Sequence, residues 1–130
     1  MIVLDASALL DLLLGTTSGY RLAERIRPLE ISLHAPHLID IEVTQAVRKY
    51  VLSGSVSAER GRLALRHLAD LDLERYPHTP LLPRIWALRD NLTAYDAAYV
   101  ALAEVLEATL VTSDHRLAKA PGILANVELI

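Results

Sequence analysis

Short apolar runs alternate with longer stretches of helical periodicity along the whole chain. The runs at residues 2–4 and 109–112 are apolar at their centres, which is typical of buried parallel strands. Residues 31–33, 73–76 and 127–130 are also predicted as strands, and the last of these is predicted to lie at an edge of the sheet.

The helical segments are bounded by residues that commonly start or stop helices. Ser7 opens a helix at 8–14 that ends at Gly15, and Thr93 caps a helix over 94–107. Further helices are predicted after Pro36, with apolar residues at 39, 43, 47 and 51; at 20–27; after Ser57, with Leu63, His67 and Leu71 along one side; at 80–92; and as a short turn at 114–119.

Strands separated by helices predict an α/β fold, a three-layer α/β/α sandwich around a mostly parallel sheet. In such folds ligands bind at the carboxyl ends of the strands, near the point where the strand order reverses. Asp5 and Asp114 both lie just after apolar strands. If those two strands are neighbours, the two carboxylates meet at one edge of the sheet.

The composition narrows the class of protein. The chain has 130 residues, 52% of them hydrophobic, which fits one compact domain over residues 1–130 with a true core. No apolar run approaches the ~20 residues of a membrane helix, and the first residues do not resemble a signal peptide. The chain has no cysteine, which excludes disulfides and thiolate zinc sites and suits a cytoplasmic protein.

The net charge is −3, from thirteen basic and sixteen acidic residues, and taken alone it argues against a nucleic-acid binder. If four acids belong to one metal site, however, the remaining twelve are balanced by the thirteen bases. The charge of the whole chain therefore does not identify the partner.

Four acids occupy positions that would bring them to an apolar interior unless they face a shared cavity: Asp5, Glu42, Asp96 and Asp114. Buried carboxylates are costly and repel one another, and a hard divalent cation removes that cost. Magnesium prefers oxygen ligands, whereas no histidine pair here has the spacing of a zinc site.

Each acid also has a purely structural interpretation. Asp5 and Asp114 could cap the helices that follow them, and Asp96 lies three residues after Thr93, as in a capping box. Glu42 could be an ordinary exposed helix residue. To explain the placement of the four acids without a metal site, all four structural interpretations must be true at once.

Four segments carry a resemblance to a known family. They are Val-Leu-Asp-Ala-Ser at 3–7, Leu-Ile-Asp-Ile-Glu-Val at 38–43, Leu-Thr-Ala-Tyr-Asp-Ala-Ala-Tyr-Val-Ala-Leu-Ala at 92–103 and Leu-Val-Thr-Ser-Asp-His-Arg-Leu at 110–117. In this order they resemble the four signature blocks of PIN domains, most closely those of the small VapC toxins of toxin–antitoxin pairs. The resemblance implies a PIN-like fold and a magnesium-dependent ribonuclease in which manganese can substitute.

The resemblance also implies roles for individual residues. Asp5, Asp96 and Asp114 would hold magnesium, and Glu42 would bind a second ion or orient the attacking water. Ser7 and Thr112 would brace the metal ligands. Activated water would hydrolyse an RNA phosphodiester and leave a 5′-phosphate and a 3′-hydroxyl. A further acid that some PIN domains carry after the last aspartate is absent, because His115 and Arg116 stand there.

Partners are likewise implied by the resemblance: an RNA substrate, a small VapB-like antitoxin over the active-site groove, and a second copy of the chain. Candidate dimer surfaces are the helices around Leu13, Val47 and Tyr99. The side chains of Tyr95, Tyr99 and Trp86 are predicted to lie in the core or an interface rather than to stack on bases.

Two other classes of protein compete with this interpretation. Receiver domains and haloacid-dehalogenase phosphatases also place acids after strands. However, Ser7 stands where the dehalogenase motif needs a second aspartate, and the acidic pair and late lysine of a receiver are missing. A PIN-like interaction module without catalysis is the other alternative, and the presence of all four acids argues against it.

Overall fold

The computed structural model describes residues 1–130 and contains five strands, seven α-helices and one 3-10 turn. In chain order they are β1 (Ile2–Leu4), α1 (Ala6–Leu14), α2 (Thr17–Ile26), β2 (Leu33–Pro36), α3 (Leu38–Leu52), α4 (Ala58–Asp70), β3 (Leu73–Tyr76), the 3-10 turn (Thr79–Leu81), α5 (Leu82–Ala87), α6 (Ala94–Leu106), β4 (Thr109–Thr112), α7 (His115–Ala118) and β5 (Val127–Leu129).

The five strands form one sheet in the order β3-β2-β1-β4-β5, and every neighbouring pair is parallel. The chain moves outward from β1 to β2 and β3, then returns to place β4 on the other side of β1. The strand order therefore reverses between β1 and β4, which is where ligands bind in open parallel sheets. The predicted α/β/α fold is confirmed, and β5 is an edge strand as expected.

Two groups of helices cover the sheet. Helix α6 packs across β1, β2 and β4 with α5 beside it, and α1 packs with α2, α3 and α4 in the other layer. Seven consecutive residues of α6, from Ala97 to Ala103, are buried, because this helix is enclosed by the sheet and by α5. None of the helices combines the length and the apolar character needed to span a membrane.

Helix α3 is fixed to the edge of the sheet by an ion pair. Asp40 accepts two hydrogen bonds from the Arg75 guanidinium of β3, at 2.8 and 2.9 Å. A bidentate pair of this kind sets orientation as well as distance. It holds the first turn of α3, two residues before Glu42, in a defined place beside the sheet.

Several predicted boundaries were wrong. Helix α1 begins at Ala6 with Asp5 as its cap, because the Ser7 hydroxyl donates to Asp5 instead of starting the helix. Strand β2 lies two to three residues later than predicted, since Ile31 is held in a turn by Pro28. Helix α2 begins at Thr17, three residues earlier than predicted.

Two helices in the middle of the chain also differ from the prediction. The helix expected at 80–92 is a 3-10 turn followed by the short α5, and it ends where the Leu88 N–H is shared between two carbonyls, those of Arg84 and Ile85. The side of α4 that faces the core carries Gly61, Ala64 and Leu68 rather than the row predicted from Leu63. Small residues occupy this side because α4 approaches α3 closely: a β-carbon at position 61 would lie 2.8 Å from the side chain of Val51.

Candidate active site

The candidate site lies at the carboxyl ends of β1 and β4. Leu4, the last residue of β1, pairs with Val111 of β4, and Asp5 follows directly. Asp114 follows β4 by two residues. The two strands are neighbours, so the expected meeting of these segments at one sheet edge is confirmed.

Asp5 is the most buried of the four acids, with 4% of its surface exposed. Its Oδ1 accepts hydrogen bonds from the Ala8 backbone N–H at 2.9 Å and the Ser7 hydroxyl at 2.7 Å. Its Oδ2 accepts a short hydrogen bond from the Thr112 hydroxyl. Burial raises the pKa of Asp5, these hydrogen bonds lower it, and the charge of Asp96 raises it again. Asp5 thus caps α1 and also lies within the field of a second carboxylate.

Ser7 and Thr112 form a hydroxyl bracket around Asp5. The Ser113 N–H donates to Ser7 Oγ at 3.0 Å, and the Asp114 N–H donates to Thr112 Oγ1 at 2.9 Å. Both hydroxyls have their own hydrogens free to donate to Asp5 because each accepts a backbone N–H. The bracket therefore ties the start of α1 to the end of β4 and fixes the Asp5 carboxylate between them.

Glu42 reaches the site from the first turns of α3 and is half-buried. Its Oε1 accepts a hydrogen bond of 2.6 Å from the Tyr99 hydroxyl. Burial raises the pKa of Glu42, the Tyr99 hydrogen bond lowers it, and the charges of Asp96 and Asp5 raise it. Burial also raises the pKa of the Tyr99 hydroxyl, with a further contribution from Glu42, so Tyr99 remains a donor.

Asp96 lies in the first turn of α6, half-buried, and its backbone N–H donates to the capping hydroxyl of Thr93 at 3.2 Å. Burial raises the pKa of its carboxyl, and the charge of Asp114 raises it further, while Thr93 and Arg116 lower it. The capping interaction is therefore present, but it does not account for a carboxylate placed beside other carboxylates.

Asp114 caps the short α7, accepting a hydrogen bond of 2.8 Å from the Arg116 backbone N–H. The Arg116 side chain also lies 3.7 Å from Asp114, but that side chain is 93% exposed. Solvent screens such a pair strongly, so it contributes little stability. The Arg116 guanidinium therefore offsets little of the negative charge of the four acids.

The charges of the four acids act on one another: Asp5 with Asp96, Glu42 with both of these, and Asp96 with Asp114. The side chains do not form a closed ligand set, since no group of three or more His, Cys, Asp or Glu side chains is arranged to hold a metal ion. Magnesium, however, usually takes only one or two carboxylates directly and keeps several waters. A donor set made entirely of carboxylate oxygens fits such a cation, bound partly through water.

Tyr99 is the residue of this region whose contact with the acids was not anticipated. It lies in the core, as predicted, with 1% of its surface exposed, but its hydroxyl reaches Glu42 from another helix. The only sequence signal was its position three residues after Asp96, which places both on one face of α6. Sequence periodicity alone does not show that Glu42 lies opposite that face.

An open groove begins at Glu42. It has a volume of about 420 Å³ and is lined by Leu38, Ile41, Glu42, Gln45, Ala46, Lys49 and Tyr95. The groove places an exposed aromatic ring, an amide and an ammonium group beside Glu42. An extended ligand in this groove would therefore contact Glu42.

The family model described as PIN domain matches residues 2–123. The chain therefore belongs to the PIN-domain family. Among curated proteins, Ribonuclease VapC1 of Mycobacterium tuberculosis strain H37Rv is 45% identical over 129 residues, which cover 98% of this chain and 96% of that protein. Ribonuclease VapC12 of the same strain is 41% identical over 130 residues, covering 100% of this chain and 99% of that protein.

Solved structures agree on the fold. The crystal structure of PAE2754 from Pyrobaculum aerophilum matches with a TM-score of 0.72 at 28% identity, covering 97% of this chain and 87% of that one. A toxin–antitoxin complex from Klebsiella pneumoniae matches with a TM-score of 0.67 at 21% identity, covering 98% and 96%. At 21% identity, the second match supports only the similarity of the fold.

Proposed function

We infer that this chain is a PIN-domain endoribonuclease of the VapC type, and we propose that it is the magnesium-dependent toxin of a toxin–antitoxin pair. The observation that carries the proposal is the set of four coupled carboxylates at the point where the strand order reverses. The high identity to proteins named Ribonuclease VapC, over nearly their whole length, supports RNA as the substrate.

In this proposal Asp5, Asp96 and Asp114 would hold Mg²⁺, for which Mn²⁺ would substitute, and the Ser7–Thr112 bracket keeps Asp5 in place. A bound divalent cation supplies an activated water and offsets the charge that grows on the phosphate. Glu42 would bind a second ion or orient the attacking water.

Glu42 is also suited to receive a proton. Its Oε1 is occupied by Tyr99, whereas its Oε2 accepts no hydrogen bond from the protein. In the metal-free protein, burial raises the pKa of this carboxyl. Attack in line with the 3′-oxygen leaves a 5′-phosphate and a 3′-hydroxyl.

The first prediction is metal-dependent cleavage. Purified protein, free of antitoxin, is expected to cut structured RNA in Mg²⁺ or Mn²⁺ and to stop in EDTA, because the carboxylates alone repel a phosphate. Gel assays with analysis of the RNA ends check this, and Asp96→Asn purified in the same way controls for contaminating nucleases. Undiminished cleavage in EDTA would exclude the metal mechanism, and no cleavage under any metal would favour a PIN-like interaction module.

Partners are part of the proposal. A small VapB-like antitoxin covers the groove beside Glu42, where it excludes RNA. The exposed cations Arg48, Lys49, Arg116 and Lys119 contact the phosphates of the substrate. Of these, Lys49 lines the groove itself.

The homodimer stays a prediction, and the structure changes which side chains can form its surface. Val47 and Tyr99 are 3% and 1% exposed, so neither side chain is available to a second copy. Exposed apolar residues on α5 offer an alternative that leaves the groove beside Glu42 free: Leu82 and Trp86. Leu82 also lines a second groove, which is almost entirely apolar, together with Ile85 and Ala98.

Leu82→Glu tests that surface. It places a charge in the centre of an apolar interface and is expected to raise the dimer dissociation constant at least about tenfold, which corresponds to about 1.4 kcal/mol. Light scattering over a concentration series measures the change. Leu29→Glu is the matched control, because Leu29 is 101% exposed and lies outside this surface. A dimer unaffected by Leu82→Glu would place the interface elsewhere.

A further inference from the structure

Tyr99 gives Glu42 the one hydrogen bond that its carboxylate receives from the protein. The hydroxyl and Glu42 Oε1 are 2.6 Å apart, and the two residues are 57 positions apart in the chain. The bond joins α6 to α3, two helices that belong to different layers of the fold. A contact of this kind fixes the position of a side chain that its own helix leaves free to rotate.

The ring of Tyr99 is held rigidly. It is the largest of the fully buried side chains, packed within the main core, so it has little freedom to change rotamer. Asp96 lies one turn earlier on the same face of α6. The same helix therefore presents one carboxylate of the site and determines where another one lies.

Asp5 and Glu42 are both held by hydroxyl groups, but to different extents. At Asp5, Ser7 and Thr112 hold both oxygens of the carboxylate. At Glu42, Tyr99 holds a single oxygen, and Oε2 accepts no hydrogen bond from the protein. Asp5 is thus fixed completely, whereas Glu42 is fixed at one atom and open at the other.

We propose that Tyr99 is a positioning residue whose hydroxyl holds Glu42 in the orientation that the catalytic cation or the attacking water uses. The inference rests on the proposed function, because it concerns the role of Glu42 in that chemistry. The competing explanation is structural: a buried phenol requires a hydrogen-bond partner, and Glu42 supplies it.

Tyr99→Phe removes the hydroxyl and little else. We expect kcat for RNA cleavage to fall about 10- to 100-fold, the usual effect of removing a hydrogen bond to a metal-site residue, with KM for RNA changed less than about twofold. Without RNA, the Mg²⁺ concentration that gives half of the maximal thermal stabilisation should rise by a similar factor. The matched control is Tyr76→Phe, which removes a hydroxyl bonded to His34 Nδ1 at 2.7 Å, between β2 and β3.

A double-variant cycle separates the two explanations. If Tyr99 acts through Glu42, adding Tyr99→Phe to Glu42→Gln causes no further loss of kcat or of the Mg²⁺ response. A purely structural role predicts that the two changes add. Wild-type kcat and Mg²⁺ midpoint in Tyr99→Phe, or full additivity in the cycle, would overturn the proposal.

Two further outcomes are distinguishable. If Tyr99→Phe does not fold, Glu42→Asp replaces it, since the shortened carboxylate withdraws from the Tyr99 hydroxyl while keeping its charge; wild-type kcat together with an unchanged Mg²⁺ midpoint in that variant overturns the inference. If the wild-type protein itself shows no metal-dependent cleavage, the proposed function fails. A fully active wild type with a neutral Tyr99→Phe contradicts the role of Tyr99 alone.

Discussion

Asp5→Asn is expected to lower RNA cleavage more than about 100-fold while the protein stays folded. Hydrogen-bond partners of metal ligands already contribute 10- to 100-fold, and Asp5 is proposed as a ligand itself. The variant keeps an oxygen that can accept from Ala8 and Ser7, so the cap of α1 survives. The new amide faces the Thr112 hydroxyl, which can turn and accept instead of donating.

The control for this prediction lies on the same helix. Asp11→Asn is the same chemical change at a carboxylate that accepts from the Thr16 hydroxyl at 2.8 Å, away from the other acids. Initial rates and thermal melts of both variants, measured beside the wild type, separate loss of chemistry from loss of fold. If Asp5→Asn cleaves RNA as the wild type does, Asp5 is a helix cap and nothing more.

The position of the candidate site could be predicted because it depends on the order of strands and on residues next to their ends. Asp5 and Asp114 each follow an apolar run, and in a parallel sheet the ends of neighbouring strands meet at one edge. The interpretation of Asp5 and Asp114 as helix caps does not exclude the interpretation of the same residues as parts of a site. Asp5 and Asp114 both cap helices, and they do so at the place where the carboxylates gather.

The features that the sequence did not predict depend on contacts between segments that are distant in the chain. Nothing in the local pattern distinguishes a helix over 80–92 from a 3-10 turn and a short α5, since the apolar spacing suits both. The side of α4 that faces the core was predicted wrongly because Gly61 and Ala64 add little to a hydrophobic pattern, although their small size allows close packing. The Tyr99–Glu42 bond joins residues 57 apart, one on α6 and the other on α3, so only the folded structure reveals it.

The metal-free protein is expected to lose stability as the pH rises, and Asp5 is expected to be one of the causes. Burial and neighbouring carboxylates raise the pKa of Asp5, Glu42 and Asp96 in the folded state. A carboxyl whose pKa is raised by folding contributes its full stability below its unfolded pKa, about 4. That contribution is lost as the pH rises through the higher folded value. Glu104, whose pKa is lowered by Arg84 despite its burial, contributes with the opposite sign.

The difference between two proteins isolates the contribution of Asp5, because Glu104 and all other groups are common to both. In EDTA, the free energy of unfolding of Asp5→Asn minus that of the wild type should increase from pH 4.5 to pH 8. Urea unfolding at a series of pH values measures this difference.

The response to Mg²⁺ gives a second comparison of the two proteins. At one hundred times the dissociation constant of Mg²⁺, the free energy of unfolding of the wild type increases by about 2.7 kcal/mol, and that of Asp5→Asn increases much less at the same concentration. A difference that stays flat with pH, together with equal gains in Mg²⁺, would mean that Asp5 neither experiences the other carboxylates nor binds the cation.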